Sequence, residues 1–197
     1  LFDRMTPYKE ILYDSFRNEF DENTDIQVFF HHYNQKRFDK LVRENLGKFS
    51  HYLLMPHLSG NVNKIADKIP EKKLIFIDSF PDYLTTASGA VYQDFRNDIY
   101  YALATKLGKI KKFAAINLSV SQSHFQFVPA GTQIGFLSFC KDNSFNHSIV
   151  NHITVDSIRK NEIFIIFDDR ELIETLKVIR KKKWKLGVDI GIISFDE

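Results

Sequence analysis

The sequence predicts an α/β protein of two doubly wound parallel-sheet lobes joined by hinge segments. Three observations predict it: short β-rich apolar runs alternate with helical segments, the alternation restarts after Asp94, and the strand-like runs repeatedly close on an acid or an amide. Residues 1–93 are read as an N-terminal lobe whose first strand is incomplete, and 94–197 as a C-terminal lobe.

The opening LFD reads as the tail of a strand. In PYKEILYDSFRNEF the apolar Tyr8, Ile11, Leu12, Phe16 and Phe20 recur at helical spacing, with Pro7 in the first turn. DIQVFF is β-rich, and QKRFDKLVRENLG places Phe38, Leu41, Val42 and Leu46 on one face before a cap at Gly47. HYLLMP, a short helix around Val62 to Ile69, KLIFID and GAVYQD continue the alternation expected of a parallel sheet covered on both faces. In the second lobe a helix carrying Ile99, Tyr100, Leu103 and Leu107 is expected to end at Gly108, followed by the strand KKFAAINL. Pro129 opens a helix through Ile134, Phe136, Leu137 and Cys140, and a weaker strand is expected near Ile149 to Thr154. EIFIIF, a helix through Leu172, Ile173, Leu176 and Ile179, and DIGIIS complete the lobe. Residues 85–95 carry no run of proline or charge, so short hinge segments are expected between the lobes.

Composition excludes several classes. With 44% hydrophobic and 14% aromatic residues the chain has ample material for a core, and a formal charge of +2 gives no basic footprint for nucleic acid. The single cysteine, Cys140, excludes an internal disulfide and suits a reducing, cytoplasmic setting. No apolar run approaches the length of a membrane helix, so no membrane partner is expected. The start at Leu1 without methionine suggests a fragment of a longer protein.

The strand-ending acids and amides are the candidate site: Asp3, Asp78, Gln93 with Asp94, Asp168 with Asp169, and Asp196 with Glu197. Ligands of open α/β sheets bind at the carboxyl ends of the strands, and converging carboxylates suit a ligand rich in hydroxyl donors, such as a sugar. The alternative for Asp94 and Asp169 is that each caps the helix that follows it. Tyr8, and Phe95 with less weight, offer an aromatic face for a sugar ring. The seven histidines show no metal-ligand spacing and read as surface or satisfied residues. The run Arg180 to Lys185 reads as a solvated helix end. Nucleophile-elbow, P-loop and dinucleotide motifs are absent, so neither an enzyme nor a cofactor or metal site is expected.

Three stretches, LIFIDS with AVYQDF, GTQIGFLSFC, and IFIIFDDRELIETLKVIRKKKWKLGVDIGIISFDE, resemble the effector-binding domain of the lac/galactose-repressor family, which is built like a type I periplasmic binding protein. The wording K-K-x-x-L-G-x-D-I-G-I-I-S is most similar to the subgroup fused to a GntR-type winged helix. The resemblance implies a dimeric, sugar-responsive transcriptional regulator that binds operator DNA through a domain outside this chain. A monosaccharide effector would sit in the cleft between the two lobes, and lobe closure on it would be passed to the DNA-binding domain. The implied ligand positions are Asp3, Tyr8, Asp78, Gln93, Asp94, Asp169 and Asp196. The runner-up is the solute-binding protein of a sugar transporter. Two departures stand out: Ala130 occupies a position where the family commonly has arginine, and the family continues beyond the strand that ends here at Asp196, so further segments are expected after Glu197.

Overall fold

The computed structural model describes residues 1–58, 62–79, 89–120 and 128–195. The chain divides into two compact units, Leu1–Gln93 and Asp94–Glu197.

In the first unit, helix α1 (Pro7–Asn18) starts where the Thr6 side chain accepts the Lys9 N–H and Pro7 supplies the fixed backbone of the first turn. Helix α2 (Gln35–Asn45) is capped by Asn34 and turns Phe38 and Val42 inward. Strand β1 (Tyr52–Leu54), the short helix α3 (Asn63–Ala66), β2 (Leu74–Asp78) and β3 (Gly89–Tyr92) follow, and β1-β2-β3 is a wholly parallel sheet. Two extended segments widen it. Phe2 donates its N–H to Phe29 O (2.9 Å) and accepts from His31 N–H (3.0 Å), while Met55 N–H reaches Leu1 O (3.0 Å). The spatial order is therefore 29–31, 1–3, β1, β2, β3. The chain steps one way from its first segment and then returns to the other side, which places a topological switch point between residues 1–3 and β1. DIQVFF contributes a single bridge, Phe2 to Phe30, instead of a full strand, because the segment it pairs with is so short.

The second unit comprises α4 (Phe95–Thr105), α5 (Leu107–Ile110), β4 (Ala115–Ser119), α6 (Ala130–Asp142), β5 (Asn146–Val150), β6 (Glu162–Ile166), α7 (Asp169–Lys181) and β7 (Gly191–Ser194). Its four strands are parallel in the order β5-β4-β6-β7, with the switch point between β4 and β6. The two faces of β6 bury different side chains. Ile163 and Ile165 pack with Ile116, Leu118, Phe136 and Phe139 on the α4/α6 side, while Phe164 and Ile166 pack with Ile179 and Ile190 on the α7 side. That two-sided burial is why EIFIIF is apolar without alternation.

Two boundaries differ from expectation. Helix α4 stops at Thr105, and Gly108 lies inside the separate turn α5, because Lys106 leaves helical geometry at φ −108°. Strand β5 lies a few residues earlier than expected. Its Asn146 and His147 are exposed on an edge strand, which masks the apolar pattern used to find strands.

Helices α4 and α6 approach closely through glycine. A Cβ on Gly135 would stand 2.1 Å from Arg96 O and 2.5 Å from Ile99 Cγ2. Gly135→Ala should therefore destabilise the second unit by roughly 1–3 kcal/mol, the usual cost of forcing a methyl group into a packed interface, measurable by urea unfolding of the full chain. Gly108→Ala, with nothing within 4 Å of the added Cβ, is the control expected to cost far less.

Candidate functional site

The switch point of the first unit is occupied by a polar cluster. Asp3 ends the first extended segment, His57 follows β1, and Asp78 ends β2; all three are buried. His57 Nδ1 lies 2.8 Å from Asp3 Oδ2, and its Nε2 lies 3.1 Å from Asp78 Oδ2. Lys9, in the first turn of α1 and itself buried, donates its ammonium to both Asp3 oxygens (2.5 and 2.6 Å). On the outer side of Asp78, Tyr8 donates its hydroxyl to Oδ1 (3.0 Å) and Gln93 donates its amide to the same oxygen (2.7 Å) and to the Tyr8 oxygen (3.0 Å). Asp78 has φ +66°, a left-handed conformation that costs an L-residue about 1–2 kcal/mol.

Burial alone would raise the pKa of both carboxyls. For Asp3 the hydrogen bond from His57 and the charges of Lys9 and His57 outweigh it and hold the group well below the usual carboxylate range. For Asp78 the bonds from His57, Gln93 and Tyr8 do the same. Burial works against charge on His57, but the two carboxylates prevail and raise its pKa. His31, fully buried beside this cluster, moves the other way: burial outweighs the Met55 carbonyl and the Asp3 charge and lowers it to about 4, and it serves as a neutral donor from Nε2 to Met55 O (3.1 Å).

Tyr8, Asp78 and Gln93 thus come together as a half-open surface, with Tyr8 36% exposed and Asp78 7%. Asp3 has no exposed surface and stands behind Asp78. Asp94 belongs to the second unit, where it caps α4 by accepting from Asn97 N–H (3.2 Å) and Nδ2 (2.7 Å). At the next strand end the cap of α7 is Asp168, which accepts from the N–H groups of Arg170 and Glu171 (2.9 and 3.1 Å); Asp169 is the first helical residue and is exposed. Asp196 and Glu197 lie outside the described residues. Ala130, where an arginine was the familial expectation, is exposed at the start of α6 and adds no donor.

Two groups escaped the sequence reading. His57 lies just past the carboxyl end of β1, the position at which acids were sought, so the same rule applied to histidine would have found it. Lys9 carries a cation into the first turn of a helix, against the dipole, which is a signal that a carboxylate compensates it. In the second unit an analogous buried acid, Glu171, accepts from Ser119 Oγ (2.5 Å) at the end of β4 and from Ile153 N–H, with His152 Nδ1 at 3.0 Å. The serine there faces a carboxylate, and the imidazole lies on the other oxygen, so this is a structural knot and not a nucleophile–base pair.

Elsewhere in the first unit, an apolar hollow of about 390 Å³ lies between α1 and the sheet, lined by Leu12, Phe16, Phe29, Leu53, Ile75 and Ile77 among others. It does not include Tyr8, Asp78 or Gln93. Among the described residues no group of three His, Cys, Asp or Glu is placed to hold a metal ion, and no helix is long and apolar enough to cross a membrane.

Two doubly wound parallel units in tandem, with polar residues gathered at a switch point, define the type I periplasmic-binding-protein-like fold. Solved structures of that fold are similar to the chain throughout. A LacI family transcriptional regulator from Lactobacillus casei with bound sucrose matches with a TM-score of 0.74 at 10% identity, over 100% of this chain and 78% of that one. The Caulobacter myo-inositol binding protein bound to myo-inositol matches with a TM-score of 0.74 at 12% identity, over 99% and 73%. A sugar-binding transcriptional regulator of the LacI family from Escherichia coli, complexed with phosphate, matches with a TM-score of 0.73 at 13% identity, over 96% and 73%. At these identities the likeness is one of fold. No family model and no curated protein matches the sequence.

The cluster makes stability depend on pH with a definite sign. His57 has a raised folded pKa, so its contribution is complete below the unfolded value of about 6.5 and is lost as pH rises through the folded value. His31 has a lowered one, so its contribution is complete above about 6.5 and is lost as pH falls from there toward about 4. Thermal unfolding of the full chain should accordingly show a stability maximum with both limbs, and His31→Gln should flatten the acid limb only between about pH 6.5 and about pH 4, leaving the steeper loss at lower pH that belongs to Asp3 and Asp78. Asp3→Asn should cost roughly 3–5 kcal/mol in urea unfolding, since it strands the buried Lys9 ammonium and takes one of two carboxylates from His57.

Proposed function

We propose that the chain is the ligand-binding part of a bacterial, cytoplasmic transcriptional regulator that senses a small sugar. The observation that carries this reading is the Asp78 cluster: an ionised acceptor at the strand ends, in a strained backbone, flanked by the Tyr8 ring and the Gln93 amide. A carboxylate held this way accepts hydroxyl protons, and the exposed ring offers an apolar face to a pyranose. Tyr8, Asp78 and Gln93 are the first unit's ligand residues, with Asp3 supporting them. Asp94, Asp169 and Asp196 are the contributions proposed for the second unit. The sugar-bound regulators and binding proteins that share the fold support this choice of ligand class.

The regulator half of the proposal has a monosaccharide favouring a closed arrangement of the two lobes through its higher affinity for that state, and a dimer passing closure to a DNA-binding head. The head is of the GntR winged-helix type, on the wording of the closing segment. The protein is not an enzyme in this reading. Likeness to a myo-inositol binding protein favours a second one, the solute-binding component of a transporter, with the same site. A winged helix encoded upstream of Leu1 selects the first, and a secretory signal selects the second.

The test is thermal unfolding of the full chain against a panel of neutral monosaccharides and inositols. A binding sugar at a hundredfold excess over its Kd should add about 2.7 kcal/mol of stability, and Asp78→Asn should abolish the gain. No gain with any member of the panel would overturn the reading.

A further inference from the structure

We propose that His57, bridging Asp3 and Asp78 as an imidazolium, is a positioning residue for the Asp78 carboxylate and makes capture of a neutral polyhydroxylated ligand depend on the proton held by this one buried ring. The inference rests on the geometry of the ring. Its two nitrogens stand 2.8 and 3.1 Å from oxygens of two different carboxylates. Neutral imidazole has one N–H and one lone pair, so in this position it would satisfy one carboxylate and aim a lone pair at the other. The imidazolium has two N–H groups and presents one to each carboxylate, as a hydrogen bond to Asp3 and as an ion-pair contact with Asp78.

The surrounding charges agree. Lys9 from α1 answers Asp3 from the first extended segment, and His57 answers Asp78 from β2, so two buried cations balance two buried anions. His31, from the neighbouring extended segment, is held neutral by its burial and adds no charge; Tyr8 and Gln93 meet Asp78 as neutral donors. Arg4 and Tyr33 also meet Asp3: the Arg4 N–H donates to it, and the Tyr33 hydroxyl is pushed to higher pKa by its burial and by the Asp3 charge. Asp3 therefore keeps Lys9 and Arg4 N–H whatever the state of the ring, whereas Asp78 loses the cation that faces it once His57 gives up its proton. A buried carboxylate stripped of its counter-ion in a left-handed backbone has every reason to turn outward. That change removes the acceptor from its place beside Tyr8.

The deciding experiment needs no ligand. In the full chain labelled with ¹³C and ¹⁵N, the His57 ring nitrogens and the Asp3 and Asp78 carboxyl carbons are followed from about pH 5 to about pH 10. Both ring nitrogens are expected to be protonated at neutral pH, to titrate above the ordinary histidine value of about 6.5, and to carry the Asp78 signal with them through the same transition. In His57→Gln, which keeps a donor but no charge, the Asp78 signal should lose that transition. A ring that is neutral at neutral pH, or an Asp78 signal that stays flat while His57 titrates, overturns the proposal. If His57→Gln does not fold, the wild-type spectra decide alone. The ligand arm rests on the sugar-sensing reading: any panel sugar that binds should weaken by roughly tenfold as pH rises through the His57 transition, as for loss of one charge-assisted hydrogen bond. Affinity independent of pH would overturn the role of His57 while leaving the sugar reading intact. Failure of the whole panel with the expected spectra would sink the sugar reading and leave the positioning role standing.

Discussion

A carboxylate with no exposed surface governs how the first unit is assembled. Asp3 comes at the end of a three-residue extended segment that is inserted between two others, and a buried anion of this kind is tolerated only when it is paired and hydrogen-bonded. Its partners come from different places in the chain: Lys9 from the first turn of α1 and His57 from beyond β1. Satisfying Asp3 thus fixes the entry of α1, which carries Tyr8, and the exit of β1, whose histidine then faces Asp78. The exposed acceptor surface is a consequence of the buried pairing behind it.

The second unit is organised differently. Its sheet is covered on both faces, by α4 and α6 on one side and α7 on the other, and β6 accordingly buries apolar side chains on both of its faces. Close approach of α4 to α6 depends on Gly135, where even one methyl group has no room. Asn117, buried in the middle of β4, is tied to Glu162 and Ser148 on the neighbouring strands, and at the strand ends Asp168 caps α7 and Glu171 ties together the end of β4 and the segment after β5. Both units therefore gather polar residues at the carboxyl ends of parallel strands. The first builds a charge-balanced cluster there, while the second spends its acids on helix caps and backbone ties.

Much of this was legible in sequence, and the reasons are local. The runs KLIFID and EIFIIF announce parallel strands because two-sided burial requires continuous apolar side chains, and Pro7 and Pro129 mark helix starts because proline needs no N–H there. Asp78 and Tyr8 were found from their places at a strand end and in a first turn. Strand β5 was misplaced because an edge strand can carry exposed polar side chains, and DIQVFF was overestimated because strand propensity does not report the length of the partner. Asp168, one residue before Asp169, took the capping role because capping depends on where the first helical residue falls, which periodicity locates only to within a residue or two.

The sequence by itself determined the α/β class, the order of nearly all elements and the acids at their ends, because periodicity, proline and strand-end chemistry are properties of short stretches. Only the tertiary structure decided which of those acids share a site and in what electrical state. Asp3, Lys9, His57, Asp78 and Gln93 are spread across the whole of the first unit, and their charges acquire meaning only when folding removes water from between them. A histidine that looks unremarkable along the chain has its pKa raised because two carboxylates, one from each side of the switch point, meet on its ring.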